Sequence, residues 1–207
     1  MTYWSTKDFK EKLRIILPDD HASISDDRIR ESSLELSLGE EVFISSQKSL
    51  KRLSKDNDIV KIRPGDFGLL MTDEWINIPM DCMAFISIKS KHKLSGLINI
   101  SGFHVDPGFS GKLKFSVYNA GTTEVILRYK DPTFIIFIAD VNKGVESKEG
   151  KHWRQKHIEP EEMMPLLGTG IPIHDLARRL GNVETMVKIY GGILIAIFIL
   201  LLTRILR

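Results

Sequence analysis

Short bursts of alternating hydrophobic and polar residues fill the chain between residues 32 and 141. The runs SLELSLG, EEVFIS, DIVKIRPGDFGLLM, EWINIP, CMAFISIKS, LKFSVYN, TEVILRY and PTFIIFIADV are each brief and separated by Gly, Pro and Asp. Period-two alternation broken by frequent turn signals predicts a mainly β domain, a compact barrel or sandwich. Ahead of it, residues 3–17 place Phe9, Leu13, Ile16 and Leu17 on one helical face, with Ser5 or Thr6 as the cap. The charged stretch 45–58 reads as a solvated loop.

The pattern changes again after residue 141. A polar stretch interrupted by Pro and Gly runs to 185, and HDLARRLGNVE near its end can form a short amphipathic helix at a membrane surface. Then comes MVKIYGGILIAIFILLLTRILR, apolar on every side. Its uncharged run from Ile189 to Thr203, at about 1.5 Å per residue, falls short of a hydrocarbon core of about 30 Å. With Lys188 and Arg204 snorkelling outward, the span from Met186 to Leu206 reaches the required length. The expected organisation is a β domain over 1–160, a linker with a short amphipathic helix over 161–185, and a transmembrane anchor over 186–207.

Composition narrows the function classes. With 29 Lys and Arg against 27 Asp and Glu, the net charge is +2, and no nucleic acid partner is expected. One cysteine, Cys82, excludes an intramolecular disulfide framework and any multi-cysteine zinc cage. The first residues contain no apolar h-region before a small-residue cleavage site, so no secretory signal is expected. A reducing compartment follows, with the β domain cytoplasmic and a single-pass C-terminal anchor. The flanking charges add little to that orientation: Arg178, Arg179 and Lys188 precede the apolar run, while Arg204 and Arg207 follow it.

The chain contains no phosphate loop, no dinucleotide fingerprint, no nucleophile elbow and no zinc deaminase signature. Its 6 His are scattered without a helical i, i+4 pair, so no metal site built from protein ligands alone is expected. What stands out is SGFHVDPGFSGKLKFSVYNAG, residues 101–121, where a carboxylate sits in a turn crowded by Gly and Pro before a clean strand.

This stretch resembles the central motif of the dCTP deaminase and dUTPase superfamily. In that motif a turn Asp precedes a strand ending in aromatic-Asn-x-Gly. SSLELSLGEEVFI, VKIRPGDFGLLMTDEWINIPMDCMAFISIKSK and VILRYKDPTFIIFIADV resemble other family segments in the same order. The resemblance implies a dUTPase-like distorted β-barrel, assembled as a homotrimer, that binds a pyrimidine deoxynucleotide. It implies Lys89, Ser90, Lys91, His104, Asp106 and Ser116 as nucleotide-binding positions, with any Mg²⁺ carried by the triphosphate. Asp106 would contact the sugar hydroxyl and the attacking water, since a carboxylate accepts hydrogen bonds and can act as a base.

Departures from the pattern carry equal weight. Where dCTP deaminases place a water-activating Glu, two residues before the aromatic, this chain has Ser116. The family's Arg-Ser-Ser-x-x-Arg segment matches KSKHKL, so Lys89 and Lys91 replace an Arg and a Ser, and Leu94 replaces the second Arg. Ile136 stands at the dUTPase Gln, and the glycine-rich arm of dUTPases is missing. The expectation is a membrane-anchored nucleotide sensor with degraded catalysis. The alternative is an active enzyme that deaminates dCTP or hydrolyses dUTP.

Overall fold

In the computed structural model, residues 2–20, 24–141, 155–167 and 173–206 are described. Two compact units divide the chain, Met1–Gly168 and Thr169–Arg207.

The first unit is mainly β. Strand β1 (Thr2–Tyr3) leads into helix α1 (Thr6–Ile16), and Ser5 caps that helix through a reciprocal box with Asp8. The cap satisfies amide groups that the first turn leaves open. Phe9 and Ile16 then face the core, and Trp4 seats edge-on against Phe9, its indole N–H donating to Asp140 at 2.8 Å.

Thirteen strands follow: β2 (Ile29–Arg30), β3 (Ser33–Ile44), β4 (Ser49–Arg52), β5 (Ile59–Ile62), β6 (Phe67–Thr72), β7 (Ile76–Asn77), β8 (Cys82–Ile88), β9 (Leu97–Asn99), β10 (His104–Val105), β11 (Ser110–Gly111), β12 (Lys114–Asn119), β13 (Val125–Arg128) and β14 (Pro132–Asp140). Their main path is β10-β8-β14-β3-β6-β12-β9, with β1, β2 and β4 paired alongside. Two separate two-stranded sheets, β11 with β7 and β13 with β5, accompany the main curled sheet. The alternation predicts a mainly β barrel or sandwich, and the curled sheet is the barrel-like form that the family resemblance implies.

Strand β3 makes the curl possible. It pairs with β14 over its first half and with β6 over its second, and its register shifts between Leu38 and Val42. Such an irregularity bends a strand and lets one sheet turn a corner. Phe115 of β12 and Phe134 of β14 stack across the interior with centroids 4.1 Å apart.

The solvated loop expected over 45–58 is corrected here. Residues 49–52 form β4, which pairs with β3, and Leu53 behind it is buried. The Lys and Arg side chains conceal two core-directed leucines, Leu50 and Leu53, from a reading based on charge.

Residues 155–167 return to the barrel. Ile158 is buried with Phe43, Leu69 and Met71 on the outer side of β3 and β6, and Met163 and Leu166 pack beside it. This explains why β3 and β6 are apolar on both faces. In the segment, α3 (Pro160–Met163) is one short turn of helix, opened by Pro160 and capped by Glu159 and Glu162.

The second unit is one helix, α4 (Ile173–Ile205), continuous through Gly181, Gly191 and Gly192. The short amphipathic helix and the apolar run are thus parts of one element. Among the described residues, Leu176–Ile205 is the one stretch long and apolar enough to cross a membrane.

Candidate functional site

The turn at the centre of the sequence motif has an explicit geometry. The Asp106 carbonyl accepts the Phe109 N–H at 3.2 Å, and Gly108 adopts φ 79°. Pro107 and Gly108 therefore occupy the second and third positions of a type II turn, where a fixed φ and a positive φ are needed in that order. Two backbone bonds pin it to Ile78: Gly108 donates to the Ile78 carbonyl, and the Ile78 N–H donates to Phe109. The turn holds Asp106 outward, with its side chain 80% exposed and 3.8 Å from the half-exposed His104 imidazole.

Behind this turn lies a cavity of about 650 Å³. His104, Asp106 and Ser116 all line it, over an apolar floor that includes Leu69, Ile86 and Leu113. Strand β12 alternates cleanly, sending Phe115, Val117 and Asn119 to the core and Lys114, Ser116 and Tyr118 to the other face. The next motif residue, Asn119, is structural. Its amide donates to the carbonyls of Ile62 and Thr123, and its oxygen accepts the Gly121 N–H.

The remaining wall is the returning segment, and sequence reasoning missed it. Gln155, Glu162 and Leu166 line the cavity, and Lys114 Nζ meets Glu162 Oε2 at 2.7 Å. Backbone fit seats the segment: Lys112 N–H donates to the Gln155 carbonyl, and a Cβ on Gly111 would lie 2.7 Å from Gln155 N. A second anchor is the buried Glu41, which accepts the Ile158 N–H, a contact from His157 Nδ1 and a bond from Arg52. Burial alone would push the Glu41 carboxyl up. The Ile158, His157 and Arg52 donors outweigh it and hold the group below the ordinary 4.5. The only sequence signal for this wall is Pro160 with Glu162, which announces a helix start and nothing about a cavity.

Lys89, Ser90 and Lys91 are not among the residues lining the cavity. They mark the start of α2 (Ser90–Leu94), beyond the end of β8. Lys89 Nζ lies 2.6 Å from Glu35, a buried carboxylate that also meets Arg30. Burial, then Lys91 and Lys89, push the neighbouring His92 imidazole down to about 4, so positive charge at α2 rests on lysines alone. Leu94 is 89% exposed, whereas Ile136 is fully buried in the core.

With this geometry in view, likeness to known proteins becomes specific. A sequence model described as dCTP deaminase-like matches residues 9–131, more than half of the chain. The chain belongs to the dCTP deaminase-like family. Among its relatives, the dCTP deaminase of Pyrococcus abyssi is 33% identical over 107 residues, covering 52% of this chain and 67% of that one. The dCTP deaminase of Pyrobaculum aerophilum is 29% identical over 147 residues, covering 65% and 82%. The 2'-deoxycytidine 5'-triphosphate deaminase of Agrobacterium tumefaciens shares the fold at 14% identity, with a TM-score of 0.55. It aligns with 66% of this chain, which spans about half (48%) of that structure. The family match ends at Asp131, so the cavity's last wall and α4 lie beyond it.

Proposed function

We propose that the β unit binds pyrimidine deoxynucleoside triphosphates and acts as a membrane-anchored sensor whose deaminase chemistry is degraded. The observation that carries this reading is the place of Ser116: it lines the same cavity as Asp106 and His104. That position is where the family resemblance puts a water-activating Glu. Replacing it with a hydroxyl removes general-base help of about 10²- to 10⁴-fold. Leu94, at the second Arg position, removes a charge that would stabilise the transition state. The ligand's base would lie on the apolar floor, with its sugar at the Asp106 rim.

The lysines of α2 are suited to the triphosphate, as point charges without the fork of Arg. Their position outside the cavity supports a site completed by a neighbouring copy in a homotrimer. Exposed Tyr3 and Phe103, which bracket Phe85 in an aromatic row, support such an assembly. Mg²⁺ would arrive on the phosphates. Helix α4 would span the membrane once, leaving the β unit in the cytoplasm beside the deoxynucleotide pool.

A second reading, an active deaminase or dUTP hydrolase, is favoured by one observation. Glu162 brings a carboxylate to the cavity that β12 lacks. Incubating the purified protein with dCTP or dUTP and Mg²⁺, while following binding and both products, separates the readings. Saturable deoxynucleotide binding without turnover is the expected result. Release of dUTP or pyrophosphate supports the enzyme, and absence of binding overturns both.

A further inference from the structure

We propose that α4 is a parallel self-association stem, in which copies of this chain meet along a heptad seam that begins outside the membrane. The inference is independent of nucleotide binding and rests on the reading of α4 as a membrane span.

In the polar half of the helix, Leu176, Leu180, Val183 and Val187 recur at spacings of four, three and four. Each is at least half exposed. Between them stand Arg178, Arg179, Asn182, Glu184 and Thr185, so the apolar residues form one stripe, widened on one side by exposed Met186. The same register can be extended through Tyr190, Leu194, Ile197 and Leu201, where the helix is apolar on every side and the seam is set by the polar half. A 3,4 repeat sustained over this length is the seam of a left-handed coiled coil, in which alternate positions a and d insert between residues of a facing helix.

Continuity of the helix decides what must cover the stripe. A span of about 20 residues fills the bilayer core, which leaves the start of α4 outside it. A helix that runs unbroken into the membrane cannot also lie flat on its surface. The stripe therefore projects into water unless a partner covers it.

Charge identifies the partner as a second copy in parallel. With Leu180 and Val187 at a, Arg179 falls at g and Glu184 at the following e. In a parallel pair, g faces the e position five residues later on the other helix, so Arg179 of each copy meets Glu184 of the next. An antiparallel pair would lose this match. Anchoring in one membrane imposes the same parallel orientation.

The test is oxidative cross-linking of the full chain in phosphatidylcholine vesicles, with single cysteines placed around the stripe. Buried Cys82 in the parent protein serves as the blank. Val183→Cys and Val187→Cys should give cross-linked dimers, while Asn182→Cys and Thr185→Cys should not. In the Val183→Cys background, Arg179→Glu or Glu184→Arg alone should lose the product, and the two together should recover it. Equal cross-linking at all four positions, or none at the seam, overturns the proposal. So does failure of the paired reversal to recover what each single change loses. Protein that does not float with vesicles is read by the same pattern in solution, so failed anchoring is distinguished from a failed seam.

Discussion

Lys114 Nζ lies 2.7 Å from the Glu162 carboxylate, joining β12 to the segment that walls the cavity. Both side chains are largely shielded, and Glu162 also accepts the Glu159 N–H at 2.9 Å. Lys114→Met and Glu162→Gln should each destabilise the β unit. A double-mutant cycle in thermal unfolding should return a coupling of about 1 kcal/mol. Additive losses would mean that the pair does not hold the segment.

Asp106→Ala should leave stability almost unchanged, because the side chain is exposed and the turn is held by its backbone. Its effect should fall on the ligand. Calorimetry should show dCTP binding weakened about tenfold, as expected for a lost bond to a charged acceptor, while binding of the 2',3'-dideoxy analogue, which lacks that hydroxyl, changes little. Equal losses for both sugars would remove Asp106 from the sugar contact.

Ser116→Glu combined with Leu94→Arg restores the two groups that the family pattern places there. Leu94 is exposed and Ser116 faces the cavity, so neither change forces a charge into the core. Conversion of dCTP to dUTP should become measurable by chromatography. No gain would mean that more than these two residues separates this chain from a working deaminase.

Acid should loosen the returning segment. Glu41 is held below 4.5 in the folded protein, so its proton binds more readily once the segment has left. The clamp's contribution is therefore complete above the ordinary value and is lost as pH falls through the lower folded one. The protection factor of the Ile158 amide should fall as pH drops through the lowered titration of Glu41, and Glu41→Gln should reduce it at neutral pH. Unchanged protection into strong acid would show that Glu41 is not the anchor.

For α4, the expected outcome is membrane retention. Full-length protein should resist a carbonate wash, and a version ending at Glu184 should be released by it. Identical release of the two would make the tail peripheral.

Local pattern made much of this protein legible. The strand alternation, the Ser5 cap and the Asp106 turn all depend on neighbours within a few residues, which is the range that sequence periodicity reports. Long-range partners stayed hidden. Glu35 reads as an outward position in an alternating strand, yet β3 is covered on both sides and the carboxylate is buried against Lys89. Ile158 finds its place through Glu41, 117 positions away, with no periodic signal in its own segment. Gly191 and Gly192 each cost a helix only about 1 kcal/mol relative to Ala, and α4 runs through both.

The returning segment also determines how this protein can be shortened. Ending the chain at Asp131, where the family match stops, deletes β14 from the sheet. Ending it just after β14 keeps every strand, but uncovers Phe43, Leu69 and Met71 on β3 and β6. An apolar sheet face laid open in this way invites self-adhesion. A soluble fragment for crystallisation or screening should therefore extend through Leu167, beyond the end of the family match at Asp131.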